Sequence, residues 1–406
     1  MPAIVERRSW RAGLLLVFAA LLARPAPARA EVSLEPFVRD LAFPTNMAFA
    51  PDGRLFFTEK DTGAVRIVTR GGRLLPEPFV RFAVANDGET GMLGVALHPD
   101  FEREPWVYLY FSDAQGGVNV LARVRDEDGR AGAIQQLATF LPWSVGYHNG
   151  GDLLFGADGM LYLTVGEAHD PTRAQLPDDP GGKVLRLRPD GGIPRDNPFG
   201  PTSPAYSIGH RNSFGLCLDP DSGTIWETEN GPDVDDEVNA LRAGANYGWP
   251  EVTGDSGGRF ADPVAVFPDP VALTGCAVWR GRLWFGAALT GGLYRMDLDP
   301  SRARPDLVAE LDAPVIDVAV GHDGRLYVAT ATGIWRARSA EPPRISDRPS
   351  PPERSGPPSP ASAPPRSPRV PAWIVPSGLV LVAIAALVTL ARAARRRRSP
   401  SRPTGA

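Results

Sequence analysis

The stretch LLFGADGMLYLTVGE, residues 153–167, contains an alternating apolar segment, an Asp-Gly turn and a second apolar segment. Asp-Gly between two such segments is a strong signal for a β-hairpin. The same pattern, an apolar strand, a turn with Pro-Asp or Asp-Gly and an aromatic-rich strand, recurs along the middle of the chain. Its turns fall near residues 52, 100, 158, 221, 281 and 323, which predicts six similar units.

This repeat predicts an all-β fold, a six-bladed β-propeller, over residues 31–340. Almost no segment is typical of a long amphipathic helix. The alternative is a pair of β-sandwiches, which the even spacing disfavours. In a propeller, the loops that precede blade strands open into a central funnel, so polar residues in these loops are candidate site residues.

The two ends of the chain differ from the middle. Residues 1–30 have a basic start, an apolar run and an ARA cleavage site, as in a signal peptide, and RRSW is a weak twin-arginine feature. Residues 341–372 form a Pro/Ser/Arg-rich linker, expected to be disordered. Residues 373–391 lack charge and predict a transmembrane helix, followed by a basic cytoplasmic tail, residues 392–406. A buried helix of a soluble domain fits these flanks less well.

These ends predict an exported protein, anchored in the cell membrane by a single-pass helix with the propeller on the outer face. Residues 31–340 contain 27 basic and 43 acidic side chains, a net charge of −16. That excess argues against nucleic acid as a partner and suits calcium or neutral substrates. The two cysteines, Cys217 and Cys276, can pair in an exported protein, but the sequence does not decide whether they do.

Two familiar nucleotide-binding motifs are absent from the sequence. It contains no P-loop and no G-x-G-x-x-G after a strand. Its five histidines show no zinc-ligand spacing, and two cysteines cannot form a four-thiolate site. The candidate chemistry therefore rests on the polar loops before the blade strands.

Two of these loops carry residues suited to catalysis. The loop YHNGG places His148 and Asn149 before two glycines, and a neutral imidazole can act as a general base. The loop GHRN places Arg211 and Asn212 before another blade strand, where a guanidinium beside an amide suits an anionic or carbonyl ligand. The simpler interpretations are a histidine that satisfies a turn and a solvated arginine.

A third segment, ENGPDVDDEVN, residues 229–239, concentrates carboxylates around a Gly-Pro turn. Calcium binds about six to eight oxygens, backbone carbonyls included, although the spacing is not that of an EF-hand. Tyr247 and Asp255, shortly after it, can add oxygens. A solvated acidic loop is the alternative. Glu89, in GETGMLGVALHPDF, precedes another blade strand and can reach the same funnel.

Six motifs occur in one order: GETGMLGVALHPDF, HNGGDLLFGADGMLYLTVGE, GGKVLRLRPDGGIPRDNPF, GHRNSFGLCLDP, ENGPDVDDEVN and NYGWP. Together they resemble the soluble glucose/sorbosone dehydrogenase family, six-bladed propellers that use pyrroloquinoline quinone (PQQ). The resemblance covers about residues 35–338. It implies a small sugar or polyol substrate, PQQ and Ca²⁺ as cofactors, and a quinone or cytochrome as electron acceptor.

The resemblance also implies roles for single residues. His148 matches the histidine that takes the hydroxyl proton while hydride passes to the quinone. Arg211 and Asn212 match contacts to the quinone oxygens, and Arg211 would stabilise developing negative charge. Asn149, next to the histidine, is assigned to cofactor binding. Glu89 falls where family members often place a glutamine near the sugar.

For calcium, the resemblance implies two sites. The carbonyl groups of Gly231 and Pro232 match ligands of the ion that also binds PQQ and acts on it as a Lewis acid. Glu237 and Tyr247 match ligands of a second, structural ion, which Asp255 can join.

The chain departs from the family at the cofactor carboxylates. Glucose-oxidising members hold these with a lysine in the fifth blade and two arginines in the sixth, positions that fall on Leu289, Pro314 and Ile316 here. Tyr147 stands before the histidine, where the family usually has a small or polar residue. The sequence favours a membrane-anchored quinoprotein dehydrogenase of aldoses or related alcohols. The alternatives are a non-catalytic ectodomain that binds carbohydrate or protein without PQQ and, with least support, a calcium-dependent lactonase.

Overall fold

The structure, a computed structural model, describes residues 32–142 and 146–338. These residues form 24 β-strands and one short 3₁₀ helix, Pro171–Gln175, and contain no α-helix. None of their helices has the length and hydropathy needed to span a membrane. The predicted signal peptide, linker, transmembrane helix and basic tail lie outside the described residues.

The strands form six four-stranded antiparallel sheets. They are β1 (Ser33–Arg39), β2 (Pro44–Phe49), β3 (Leu55–Glu59), β4 (Ala64–Val68), β5 (Val80–Arg81), β6 (Met92–Leu97), β7 (Trp106–Ser112), β8 (Val118–Glu127), β9 (Arg130–Pro142), β10 (Leu153–Phe155), β11 (Leu161–Val165), β12 (Lys183–Leu187), β13 (Ala205–Ile208), β14 (Ser213–Leu218), β15 (Ile225–Glu229), β16 (Asp236–Ala240), β17 (Ala265–Phe267), β18 (Leu273–Trp279), β19 (Arg282–Ala287), β20 (Gly292–Asp297), β21 (Asp306–Glu310), β22 (Val315–Val320), β23 (Leu326–Thr330) and β24 (Gly333–Arg338). Blades 1 to 5 are β2–β5, β6–β9, β10–β13, β14–β17 and β18–β21, and blade 6 is β22–β24 with β1.

Each predicted turn joins the first and second strands of one blade, so the hairpin pattern identified all six blades. The Asp-Gly turns show why. Asp158 accepts hydrogen bonds from the Met160 N–H at 3.1 Å and the Tyr162 hydroxyl at 3.1 Å. Gly159, with φ +74°, adopts the left-handed conformation that closes such a turn. These local bonds set the register of the hairpin.

The first strands of successive blades contact one another in a closed ring. The ring closes because β1, from the start of the chain, pairs with β24 as the outer strand of blade 6, from Ser33↔Arg338 to Arg39↔Gly333. Apolar side chains pack between neighbouring blades, and Phe56 of blade 1 and Leu109 of blade 2 belong to one core cluster. The prediction of a six-bladed propeller is confirmed, and the β-sandwich alternative is wrong.

A disulfide joins Cys217 on β14 to Cys276 on β18, with Cα atoms 5.6 Å apart. It settles the pairing that the sequence left open, and it connects the first strands of blades 4 and 5. Closing a loop of 59 residues contributes about 4 kcal/mol in the chain-entropy view.

Two buried carboxyl groups lie where the first strands converge. Asp152 accepts hydrogen bonds from Asn46 Nδ2 of blade 1 at 3.0 Å and from the Leu216 N–H of blade 4 at 2.6 Å. Burial raises the pKa of Asp152 to about 7. Asp317 of blade 6 has one oxygen, Oδ2, without a hydrogen-bond partner among the described residues. Burial and the negative charge of Asp152 raise the pKa of Asp317 well above its ordinary value.

A carboxyl group whose pKa is raised by folding costs stability as the pH rises, because the unfolded chain releases the proton first. We therefore expect Asp317→Asn, which carries no such proton, to raise the Tm by about 2–4 °C at pH 8. The gain should shrink towards pH 4, where Asp317 is protonated in both states. Thermal unfolding of both proteins across this pH range measures the effect. Asp312→Asn, at an exposed position, is the control, and an equal or lower Tm for Asp317→Asn at pH 8 would contradict the account.

Candidate active site

The candidate site lies at one end of the propeller. In an antiparallel blade, the loop entering the first strand and the loop between the second and third strands lie at the same end. Residues 82–91 enter β6, residues 146–152 enter β10 and residues 209–212 enter β14. Glu89, His148 and Arg211, predicted as site residues, occupy these three loops and therefore share one end.

His148 is buried and held by carboxylates from two blades. Its backbone has φ +55°, and its N–H donates to Glu89 Oε2 at 2.8 Å. Its ring Nδ1 lies 2.9 Å from Oε1 of Glu167, which follows β11. A carboxylate at this distance favours the tautomer with the proton on Nδ1, which leaves Nε2 free to accept a proton. The arrangement therefore prepares His148 as a base.

A second histidine covers the first. The ring of His169 stacks on that of His148 with centroids 4.0 Å apart and planes inclined by 14°. Burial and then the charge of His148 lower the pKa of His169. Glu167 and His169 are not among the residues that sequence patterns single out, because both lie in the β11–β12 loop, after a strand rather than before one.

Asn212 connects the loops of blades 2, 3 and 4. Its Nδ2 donates to Glu89 Oε2 at 3.1 Å, and its Oδ1 accepts from the Gly150 N–H at 3.2 Å. Gly166 allows this close approach, because a Cβ there would lie 2.2 Å from the carbonyl oxygen of His148 and 2.9 Å from Asn212 Oδ1. The asparagine thus ties together the loops that carry the base and the candidate substrate residue.

Asn149 is buried in a polar group between blades 2 and 3. Its Oδ1 accepts from Asn119 Nδ2 at 3.0 Å, and its carbonyl oxygen accepts from the Tyr110 hydroxyl at 3.3 Å. Its Nδ2 has no partner among residues 32–142 and 146–338. The Nδ2 group is therefore the part of the Asn149 side chain that remains available to donate a hydrogen bond to a ligand.

Arg211 lies against the acidic loop. Its backbone N–H donates to Glu229, and its Nη1 donates to the carbonyl oxygens of Asn230 at 3.0 Å and Gly231 at 2.9 Å. Its guanidinium lies 5.6 Å from the ring centre of Trp249. The Gly231 carbonyl, predicted as a calcium ligand, is therefore a neighbour of the positive charge of Arg211.

His210 forms a buried cluster with two glutamates that its sequence spacing does not reveal. Its Nδ1 lies 2.9 Å from Glu229 Oε2 and 3.1 Å from Glu227 Oε1, and its Nε2 lies 2.8 Å from the Ser207 hydroxyl. Burial alone would lower the pKa of His210, but the two glutamates raise it to about 10. The three side chains can alternatively hold a metal ion. The available signal was that Glu227 and Glu229 alternate on one strand and share a face.

Glu237 and Tyr247 line a small pocket together with Glu229 and Gly231. Burial and the charge of Glu229 raise the pKa of Glu237 to about 8. The Tyr247 hydroxyl donates to the carbonyl oxygen of Ala240 at 2.8 Å, so its own carbonyl is the oxygen left for an ion.

Two other predicted calcium ligands have different surroundings. Asp255 is exposed and accepts a hydrogen bond from the Gly257 N–H at 2.8 Å. Pro232 lies in the β15–β16 loop beside Gly231 and is exposed. The ligand roles of all these residues stay predictions.

The positions at which glucose-oxidising family members have a lysine and two arginines for the cofactor carboxylates lie at this same end of the molecule. Leu289 is exposed in the β19–β20 loop, Pro314 precedes β22 and Ile316 lies on it. The chain's two lysines are engaged elsewhere: Lys60 pairs with its neighbouring aspartate at 2.7 Å, and Lys183 donates to three backbone carbonyls.

The chain is similar to known proteins over most of its length. The Glucose / Sorbosone dehydrogenase family model matches residues 41–334. Aldose sugar dehydrogenase YliI of Escherichia coli (strain K12) is 30% identical over 352 residues, covering 78% of this chain and 94% of the relative. Quinoprotein glucose dehydrogenase B of Acinetobacter calcoaceticus is 32% identical over 255 residues, 54% of this chain and 53% of the relative.

Among solved structures, the PQQ-bound form of aldose sugar dehydrogenase from Streptomyces coelicolor aligns with a TM-score of 0.70 at 32% identity. The alignment covers 76% of this chain and 98% of that one. On the family match and the shared propeller, the chain belongs to the glucose/sorbosone dehydrogenase family.

Proposed function

We propose that this protein is a quinoprotein dehydrogenase that oxidises aldose sugars or related alcohols, with PQQ and Ca²⁺ as cofactors. The observation that carries the proposal is the buried His148–Glu167 pair, set beside Arg211 in a propeller of this family. The predicted signal and membrane helix extend the proposal to an exported, membrane-anchored enzyme that passes electrons to a quinone or cytochrome.

In this mechanism His148 is the base. With Nδ1–H donated to Glu167, Nε2 accepts the proton of the sugar hydroxyl at the carbon to be oxidised. The Glu167 carboxylate then stabilises the imidazolium that forms. Glu89, half-buried beside the base, accepts hydrogen bonds from other sugar hydroxyls and orients the substrate.

PQQ, when bound, supplies the quinone that takes up the hydride. Arg211 and Asn212 would hold its oxygens, and the positive charge of Arg211 would stabilise negative charge that develops there. This half of the site fits the cofactor. Leu289, Pro314 and Ile316 do not fit the cofactor carboxylates, because none of their side chains carries a positive charge or a hydrogen-bond donor.

Calcium fits the chemistry of the acidic loop. Glu229 and Glu237 are buried and close enough for their charges to interact. His210 pairs with Glu229, whereas Glu237 accepts hydrogen bonds from the neutral Gly254 N–H and Asn239 Nδ2, so a cation at Glu237 would offset the cost of burying its charge. Asn239 Oδ1, beside them, has no hydrogen-bond partner in the described part of the chain. Glu237 and the carbonyl of Tyr247 would hold a structural ion, and the carbonyls of Gly231 and Pro232 the ion next to PQQ.

Glu167→Gln tests the orientation of the base. The amide of the new glutamine can donate to Nδ1 and so stabilise the tautomer with its proton on Nε2, which cannot act as a base there. We therefore expect kcat to fall by about 100-fold or more. A similar loss is expected in His148→Ala. Glu310→Gln, at an exposed position on an outer strand, is the control. Unchanged turnover in correctly folded His148→Ala would rule out His148 as the base.

Removal of calcium tests the acidic loop. A chelator should lower the Tm, and added Ca²⁺ should restore it, because an ion that binds only the folded state stabilises it. Glu237→Gln should show a smaller shift than the wild-type protein. An identical Tm with and without chelator would refute a structural ion at this loop.

Titration with PQQ in the presence of Ca²⁺ tests the cofactor. We expect saturable changes in PQQ absorbance and dye reduction that depends on added aldose. Arg211→Ala should weaken both, because it removes the cation that faces the quinone oxygens. Absence of binding at high micromolar PQQ would favour the non-catalytic ectodomain that binds carbohydrate or protein.

A further inference from the structure

Beside the base lies an aromatic surface whose role the mechanism above does not include. Tyr147 directly precedes His148, and its side chain is 48% exposed. Burying a large aromatic side chain is favourable, so one left half-exposed next to a catalytic base is open to a ligand.

The tyrosine ring is held in place from the neighbouring blade. A Cβ at Gly88 would lie 3.1 Å from Tyr147 Cζ and 2.7 Å from the carbonyl oxygen of Gly146. Gly88 also has φ +59°, a conformation that favours glycine. The backbone of the loop entering β6 therefore supports one side of the ring, next to Glu89.

His169 continues the surface. Its ring meets that of Tyr147 edge to face, with centroids 6.0 Å apart and planes at 86°, and it stacks on His148 at 4.0 Å. Tyr147 and His169 are both exposed, whereas His148 is buried. The three rings thus form a continuous aromatic wall with the base at its inner end.

Charged groups surround this wall. Glu167, Glu89 and Arg211 all act electrostatically on His169, as does His148. The net effect, led by burial, lowers the pKa of His169, so its ring is neutral at pH 7. A neutral aromatic face bordered by carboxylate and guanidinium groups offers apolar contact and hydrogen bonds together.

We propose that Tyr147 and His169 bind the apolar C–H face of a pyranose ring and so make the enzyme selective for cyclic aldoses over acyclic polyols. A pyranose presents several ring C–H groups on one face and hydroxyl groups at its rim. Because the rings of Tyr147 and His169 are inclined by 86°, that face can pack on one ring and touch the edge of the other, while the rim hydroxyls reach the polar groups nearby. An acyclic alditol also carries hydroxyl groups, but it lacks the anomeric hydroxyl and a rigid face, and ordering it on the wall costs conformational entropy. This inference rests on the proposed sugar oxidation.

The test compares an aldose with its alditol, glucose with glucitol, as substrates of wild-type and variant holoenzymes. Tyr147→Ala should raise the KM for glucose by about three- to tenfold, as expected for one aromatic contact, with the effect concentrated in KM rather than kcat. The KM for glucitol should change much less, so that the preference for glucose shrinks. Tyr147→Phe, which retains the ring, should keep most of that preference, and His169→Ala should behave as Tyr147→Ala does.

Leu176→Ala is the matched control, because Leu176 is also exposed, at 53%, in the β11–β12 loop that carries His169. It should leave the preference unchanged. Equal changes in KM for glucose and glucitol in Tyr147→Ala, or no change, would overturn the wall as a selective surface. The Tm of each variant separates these outcomes from misfolding.

A measurement of glucose binding that does not depend on turnover distinguishes the aromatic wall from the proposed dehydrogenase activity. If the wild-type holoenzyme oxidises no sugar, saturation-transfer NMR with glucose reads the wall directly. Glucose binding that is lost in Tyr147→Ala and kept in Tyr147→Phe would support the wall although the dehydrogenase proposal had failed. No glucose binding to the wild-type protein would overturn the wall as well.

Discussion

One interaction recurs at the functional end of this propeller. A buried glutamate at the end of a blade's second strand accepts a hydrogen bond from the loop that enters the same blade, and so fixes the position of that loop. Three blades use it. The pairs are Glu59 with the Ala42 N–H at 3.4 Å, Glu167 with His148 Nδ1 at 2.9 Å, and Glu229 with the Arg211 N–H. A buried carboxylate without such donors would cost several kcal/mol, so the glutamate and the loop must fold together. Two of the three loops carry the candidate catalytic residues.

The same requirement explains how a non-glycine residue adopts an unfavourable backbone conformation at the site. His148 has φ +55°, which costs about 1–3 kcal/mol unless its surroundings compensate. Glu89 binds its N–H from blade 2, and Glu167 binds its ring from blade 3. The position of the His148 ring is therefore set by two blades, and any change in their relative packing would move its Nε2. The fixed ring is also what allows His169 to stack on it.

The sequence predicts those features of the fold and the site that depend on interactions between residues close together in the chain. The Asp-Gly turns bond within a few residues, as Asp158 does, so the pattern gave all six blades and placed Glu89, His148 and Arg211 at one end. Glu167 and the His210 cluster depend on pairing between strands, which a one-dimensional pattern does not contain. The disulfide depends on the packing of blades 4 and 5, which brings the Cα atoms of Cys217 and Cys276 to 5.6 Å. The ends of the chain stay predictions, since they lie outside the described residues.

The retained and altered parts of the site lie on different blades. Glu89, His148 and Arg211 belong to blades 2, 3 and 4, whereas Leu289 and Pro314 belong to blades 5 and 6. Because each loop is carried mainly by its own sheet, substitutions on one side can change cofactor affinity without displacing the base on the other. A charge-assisted hydrogen bond contributes about 1.5–3 kcal/mol, so three missing cations would weaken binding of a tricarboxylate by orders of magnitude. The proposed proton transfer depends instead on the His148–Glu167 pair, and both of these residues belong to loops of blade 3. Weak cofactor binding and an intact proton acceptor are therefore physically compatible in the proposed enzyme. Its affinity for PQQ would depend on blades 5 and 6, and turnover of the loaded enzyme would depend on blades 2 to 4.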